Sequence, residues 1–144
     1  MTIRYMDVPL APEWKKIADR MMAKMIAEKV IPAHRSPLNG FEWGIFALSD
    51  EGRRSKPIGM SIYFQPEERD LVWLDLLYVE GAERGFGIGQ QLLRRTFEKA
   101  AALGVARLEL GVYCHNAPMI SLAERCGLGR SAIIFEGETK AVLA

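Results

Sequence analysis

The residues best suited to chemistry lie halfway along the chain, in the run Arg84-Gly85-Phe86-Gly87-Ile88-Gly89. An apolar stretch precedes this run, and an amphipathic stretch beginning near Gln90 follows it. Glycines let the backbone approach an anion without an intervening side chain, and the first N–H groups of a helix have no intrahelical partner. The helix dipole adds partial positive charge at the same place. The spacing therefore predicts a strand, a turn and a helix start that together bind an oxyanion.

The run fits some phosphate-binding patterns better than others. Counted from Gly85, a dinucleotide-binding fingerprint needs a sixth-place glycine, where this chain has Gln90, and its fold uses two βαβ halves. A P-loop ends in Gly-Lys-Ser or Gly-Lys-Thr, which this sequence lacks. Two interpretations of the run remain: it binds the pyrophosphate of a coenzyme A, or it is a purely structural tight turn. Three glycines at alternate positions after an arginine exceed what a turn needs, which favours the anion site.

The overall composition limits the kind of protein. The 144 residues suffice for one domain with a single core, which we expect to span residues 1–144. The 19 basic and 18 acidic residues leave a net charge of +1, so no strong field attracts nucleic acid. No apolar run is long enough to span a membrane, and the first residues contain no apolar export signal. We therefore expect a soluble cytoplasmic protein that binds neither nucleic acid nor membrane.

The two cysteines, Cys114 and Cys126, lack a metal-ligand spacing and the histidine partners of a zinc site. We expect no metal site and reduced thiols, while a single disulfide between the two cysteines stays open.

The elements before the glycine run follow from the apolar pattern. Residues 2–6 predict a first strand, and Pro12 opens a helix with one apolar face. Prolines end this helix and predict a loop over residues 31–40. Residues 41–48 and 58–64 predict two strands that pair antiparallel across a polar turn.

The elements on either side of the glycine run form a repeating pattern. Residues 71–79 predict a strand buried on both faces, and a helix follows the run. A strand over residues 105–113 and a helix over residues 117–126 come next, and residues 131–135 and 139–143 predict a terminal hairpin. A strand–helix–strand connection of this length implies a parallel pair with a right-handed crossover. The expected fold class is α/β (α+β), with a mixed, mostly antiparallel sheet.

The glycine run and the preceding Leu77-Tyr78-Val79 closely resemble the acyl-CoA-binding segment of the GNAT N-acetyltransferase superfamily. That pattern is Gln or Arg, two residues, Gly, one residue, then Gly or Ala. The resemblance continues in the family's second strand–helix block, at Leu110, Val112, Asn116, Ile120, Leu122, Glu124, Arg125 and Gly127. Element order also agrees along the whole chain. The resemblance implies the acyl-CoA N-acyltransferase fold, with helices on both faces of the sheet and a central parallel strand pair that splays apart.

The resemblance also implies a reaction and a binding mode. The chain would transfer an acetyl group from acetyl-CoA to a primary amine of a small molecule or a protein lysine. Backbone groups of Leu77, Tyr78 and Val79 would pair with the pantetheine arm, and Asn116 would hydrogen-bond it near the splay while also capping a helix. Backbone N–H groups would hold the pyrophosphate, at Arg84, Gly85, Phe86, Gly87, Ile88, Gly89 and Gln90. A homodimer would fit the family, although no exposed apolar stripe identifies an interface.

Such a reaction needs an unprotonated amine, whereas a free alkylamine has a pKa near ~10.4. Asp75 is the expected base, because an acid in an apolar run is costly unless it is used or paired. Strand alternation predicts that Asp75, Leu77 and Val79 share the face that the thioester arm would occupy. The polyamine-type acetyltransferases, which this segment resembles most closely, carry an acid at the matching position. Alternatively Asp75 is paired with a neighbouring strand, for example through Arg107, and Glu80 is a weaker candidate base.

The departing thiolate benefits from a proton donor. The family usually has a tyrosine seven residues after the splay asparagine, where this chain has Ala123. Tyr113, Cys114 and His115 would lie at the mouth of the splay, and Tyr113 is the preferred substitute. Gly111 stands where some protein-acetylating members carry glutamate, which argues mildly against peptide N-termini as acceptors. Two other classes stay open: a coenzyme A-binding module with weak or no catalysis, and a nucleotide-binding protein.

Overall fold

A computed structural model of the chain describes residues 2–51, 53–134, 136 and 138–142. Its sheet has the order β1-β2-β3-β4-β5; the first four strands pair antiparallel and β4 pairs parallel with β5. The strands are β1 (Thr2–Pro9), β2 (Trp43–Glu51), β3 (Arg54–Phe64), β4 (Val72–Val79) and β5 (Leu108–Leu110). The helices are α1 (Pro12–Ala27), α2 (Ile88–Ala102), α3 (Ala117–Arg125) and α4 (Thr139–Val142), with a 3-10 turn at Gly81–Glu83. The expected mixed, mostly antiparallel α/β class is confirmed.

Helices cover both faces of the sheet. Alternate strand residues point to opposite faces, and each set packs against a different helix. The α1 side is built on Phe46, Met60, Ile62, Leu76 and Tyr78, together with Ala18, Met21 and Met25 of the helix. The α2 side is built on Ile45, Ala47, Ile58, Tyr63 and Val72, together with Ile88, Leu92 and Ala100 of the helix. The apolar face expected for the first helix is therefore its buried face.

A β-bulge in β4 sets the direction of the side chains near the glycine loop. Leu76 pairs with Ile62 and Leu74 pairs with Tyr63, so Asp75 is an extra residue without a partner in β3. A bulge interrupts the alternation of a strand. Leu77 and Val79 consequently pack on the α2 side, whereas Asp75 contacts Arg35 in the loop after α1. The expectation that Asp75 shares a face with Leu77 and Val79 is wrong. The expectation of full burial is also wrong, because alternate residues of β4 are only half-buried.

The two parallel strands diverge just before Asp75. Their pairing ends at Leu74 and Leu110, and the strand expected over residues 105–113 is only three residues long because its partner moves away. Beyond Leu74, β4 has β3 on one side and no described strand on the other. We call the space on that side the splay.

Backbone groups of β4 face the splay. The Glu80 N–H donates to the Ile58 carbonyl at 2.8 Å, which makes the facing pairs Val79–Gly59 and Leu77–Ser61 non-hydrogen-bonded pairs of the antiparallel ladder. The N–H and C=O groups of Leu77 and Val79 therefore point away from β3. They form a free edge along the splay.

The expected C-terminal hairpin is not formed in the part of the chain that the structure describes. Residues 131–134 are exposed and form no strand, and Thr139–Val142 is a short helix. Phe135, Gly137 and Leu143, which the hairpin would include, lie outside the described residues. A three-residue β5 offers few backbone groups to a further strand, so β5 is the edge of the described sheet.

The structure also bears on the cysteines and on the expected absence of a membrane span. Cys114 and Cys126 carry free thiols, so the disulfide that the sequence left open is not formed. None of the described helices is long and apolar enough to cross a membrane.

Candidate active site

The N-terminus of α2 presents three backbone N–H groups without a protein acceptor. Gly87 is the N-cap residue, and no side chain caps the helix. The first helical hydrogen bond runs from the Gln91 N–H to the Gly87 carbonyl at 3.1 Å. The N–H groups of Ile88, Gly89 and Gln90 donate to no acceptor among the described residues. Unpaired amides and the positive end of the helix dipole together favour a bound anion.

The glycines of this loop have two different structural roles: two adopt positive φ, and the third allows close packing. Gly85 and Gly87 have φ of +87° and +80°, a region that residues with a Cβ adopt at a cost. A Cβ at either would meet nothing within 4 Å, so the loop surface is open. At Gly89 a Cβ would lie 3.3 Å from the Leu122 side chain and 3.7 Å from that of Val79. The missing side chain there lets α2 begin close to the splay.

The side chains of the loop differ in their contacts and in their exposure to solvent. The Arg84 Nε donates to the Val79 carbonyl at 2.9 Å, and the Arg84 guanidinium lies 5.3 Å from the Tyr78 ring centre. Phe86 is 73% exposed whereas Ile88 is buried, and Gln90 is exposed. Arg84 thus braces the loop against the end of β4 and occupies one carbonyl of the free edge.

Glu28, the C-cap residue of α1, supports this brace. Its carboxylate accepts hydrogen bonds from the Arg84 Nη2 at 2.5 Å and from the Tyr78 hydroxyl at 2.7 Å. Burial opposes ionisation of Glu28, but these two hydrogen bonds and the charges of Arg84 and Lys24 outweigh it and lower its pKa. Burial and the bond to Glu28 raise the pKa of Tyr78 well above its ordinary value, so Tyr78 is a neutral donor.

We expect Glu28→Gln to destabilise the fold at pH 7 and less so in acid. A carboxyl whose folded-state pKa is lowered contributes stability above its unfolded pKa and loses it as pH falls through the folded value. The difference in unfolding free energy between wild type and variant should therefore stay constant from pH 7 to about pH 5 and narrow as the pH falls through the ordinary glutamate pKa of about 4.3 and below it. Urea unfolding across this range measures it. Glu98→Gln, at a surface pair with Arg94, should show a much smaller difference; equal differences would contradict the prediction.

Asp75 is ion-paired with Arg35 in the loop after α1, and not with a residue of a neighbouring strand. The Arg35 Nη2 donates to its Oδ2 at 2.7 Å, and the two side chains are 15% and 18% exposed. The alternative partner Arg107 contacts Glu109 instead. No described residue donates to the Asp75 Oδ1. Asp75 is therefore paired, yet it keeps one accessible oxygen at the apex of the splay, where β4 and β5 begin to diverge. The weaker candidate base, Glu80, is ion-paired with Lys24 at 2.6 Å.

The opposite wall of the splay is the loop between β5 and α3. The Asn116 Oδ1 caps α3 by accepting from the Met119 N–H at 3.4 Å, which is the structural role expected for it. Tyr113 is half-buried against the α1-side core, and the His115 Nε2 donates to the Lys29 carbonyl at 2.5 Å. Ala123 is buried and brings no hydroxyl to this wall.

Sequence reasoning missed two residues that the fold brings to the site, Glu28 and Arg35. Both lie where α1 ends and its following loop begins, far in sequence from the β4 residues that they contact. Their spacing carries no motif. The only available signal is that a buried-strand acid such as Asp75 needs a cationic partner, which the sequence sought on a neighbouring strand.

The chain is similar to known proteins in sequence and in fold. The family model described as acetyltransferase (GNAT) family matches residues 14–128. Uncharacterized N-acetyltransferase YdgE of Bacillus subtilis (strain 168) is 30% identical over 107 residues, 74% of this chain and 66% of that relative, just under two thirds of its length. A ribosomal-protein-alanine N-acetyltransferase from Brucella melitensis biovar Abortus 2308 has a TM-score of 0.73 at 16% identity, covering 95% of this chain and 99% of that one. Aminoglycoside N-acetyltransferase AAC(6')-Iy in complex with CoA has a TM-score of 0.64 at 15% identity, covering 95% and 98%. At these identities the structural matches establish the fold alone.

Proposed function

Since the chain belongs to the acetyltransferase (GNAT) family, we propose that it is an enzyme that transfers an acetyl group from acetyl-CoA to a primary amine, of a small molecule or of a protein lysine. One observation carries the proposal. Three unpaired amides at the start of α2 adjoin a free backbone edge of β4 along the splay. A fold neighbour was crystallised in complex with CoA, which supports the same ligand here.

The residues of this region fit an acyl-CoA. The amides of Ile88, Gly89 and Gln90 suit a pyrophosphate, which carries negative charge and only accepts hydrogen bonds. The Leu77 C=O and the Val79 N–H suit the amide groups of a pantetheine arm, and the Asn116 side chain lies on the opposite wall. The Val79 carbonyl already accepts from Arg84, so it contributes less. Bound acetyl-CoA would supply an activated thioester.

Each remaining task falls to a residue of this chain. In this proposal the free Asp75 Oδ1 holds the amine and accepts its proton, because it is the one carboxylate oxygen at the splay apex that no described residue occupies. The Leu77 N–H donates to the oxygen on which negative charge develops. Tyr113 is the proposed proton donor to the thiolate, since Ala123 cannot serve.

Thiol release tests the proposal directly. The protein is incubated with acetyl-CoA and a panel of primary amines, and free coenzyme A thiol is measured against reactions without amine. We expect amine-dependent thiol release. Its absence across the panel would contradict catalysis. Thermal stabilisation by coenzyme A above that by ATP or NAD would exclude the nucleotide-binding alternative.

A second candidate function is a coenzyme A-binding module without efficient turnover. Two observations favour it: Ala123 replaces the usual tyrosine, and Asp75 is ion-paired. Calorimetry distinguishes the two functions, because the module would bind acetyl-CoA tightly while releasing no thiol in response to an amine.

A further inference from the structure

Three carboxylates near the C-terminal end of β4 each have a cationic partner. Asp75 is paired with Arg35 at 2.7 Å, Glu80 with Lys24 at 2.6 Å and Glu28 with Arg84 at 2.5 Å. Among the described residues here, Glu83 in the 3-10 turn after β4 is the carboxylate that takes part in no ion pair, and the three pairs themselves are neutral. The region therefore has little net negative charge with which to attract a polycationic amine.

The Arg35–Asp75 pair nevertheless has unused hydrogen-bonding capacity on both partners. The Arg35 Nε donates to the Ser36 carbonyl at 3.0 Å and Nη2 donates to Asp75. Nη1 donates to no acceptor in the described residues, and Asp75 Oδ1 accepts from none. Both side chains are partly shielded, at 15% and 18% exposure, but remain accessible to a ligand. The pair thus presents a positive donor beside a negative acceptor.

We propose that the acceptor is a primary amine that carries a carboxylate close to the amine, as an amino acid does. This inference rests on the proposed function. The ammonium group binds Asp75 Oδ1, and the carboxylate binds Arg35 Nη1. Arginine suits this role because its planar, permanently charged guanidinium pairs well with carboxylates. A bare cation gains less, because it meets the charge of Arg35 as it approaches Asp75.

Matched pairs of acceptors test the proposal. Each pair is an amino acid and the amine left when its carboxylate is removed, for example lysine with 1,5-diaminopentane and phenylalanine with 2-phenylethylamine. Thiol release gives kcat/KM for each. We expect the carboxylated member of at least one pair to be preferred by about 10-fold or more, as for a charge-assisted hydrogen bond. Arg35→Ala should bring that preference close to one, and Arg35→Lys should retain part of it.

The control is Arg53→Ala, an exposed arginine in the turn between β2 and β3, which should leave the preference unchanged. Equal kcat/KM within every pair, or a preference unchanged by Arg35→Ala, would overturn the proposal. If no amine releases thiol, the proposed function fails, and calorimetry on coenzyme A-saturated protein still decides this inference. Amino acid binding that Arg35→Ala abolishes would support it; equal binding of both members, or of neither, would overturn it.

Discussion

Replacing Gly87 with aspartate should weaken acetyl-CoA binding about 100-fold or more, because a carboxylate would stand beside the pyrophosphate. Two unit charges about 4 Å apart repel by about 4 kcal/mol at an effective dielectric constant of about 20. A Cβ at Gly87 would meet no protein atom within 4 Å apart from its chain neighbours, so there is room for the new carboxylate next to the free amides. Isothermal titration calorimetry measures the loss.

Gly87→Asn is the matched control for this variant. Asparagine and aspartate share their shape and their tolerance of positive φ, so both carry a similar backbone cost of about 1–2 kcal/mol. Asparagine lacks the charge that repels the pyrophosphate. The acetyl-CoA affinity of Gly87→Asn should therefore fall by less than about tenfold, because the 100-fold loss expected for Gly87→Asp comes from electrostatic repulsion. Thermal unfolding should give similar midpoints for the two variants. Equal affinities of Gly87→Asp and Gly87→Asn would show that no anion binds at this helix start.

Asp75→Asn should lower kcat by about 10²- to 10⁴-fold, the usual contribution of general acid–base catalysis, with little change in acetyl-CoA affinity. Asparagine keeps an oxygen that can accept from Arg35, so the loop contact at 2.7 Å can persist. The deficit should shrink as pH rises toward ~10, where an alkylamine deprotonates without a base. Steady-state kinetics from pH 6 to 10 measure both effects.

Glu80→Gln is the control for Asp75, since Glu80 is also an ion-paired carboxylate at the end of β4. Its kcat should stay within a few-fold of wild type. A small effect of Asp75→Asn, or an effect independent of pH, would assign Asp75 to structure alone and leave Arg35–Asp75 as an ordinary ion pair.

Local sequence signals predicted the elements on either side of the glycine loop. The apolar run before residue 80, the alternate glycines and the amphipathic stretch after them depend on neighbours in the chain, so a strand, an open turn and a helix could be read directly. Pro12 marked the start of α1, because proline is favoured in the first turn of a helix whatever lies elsewhere in the chain. The parallel pairing of β4 with β5 followed from the length of the connection.

The signals that failed were those that depend on residues distant in sequence. The bulge at Asp75 exists because β3 and β4 pair with a one-residue offset, which no period in either strand reveals. The partners of Asp75 and Tyr78 come from the end of α1 and the loop after it. The short β5 reflects the divergence of the two parallel strands, which depends on residues distant in sequence.

Binding of coenzyme A to the amides at the start of α2 is tested most directly by titration of 15N-labelled protein with coenzyme A. Amide chemical shifts should change most at residues 87–90, with further changes at Leu77 and Val79 along the splay. Saturable binding that leaves these amides unmoved, with shifts concentrated elsewhere on the protein, would contradict the account. Absence of any shift at millimolar coenzyme A would contradict it equally.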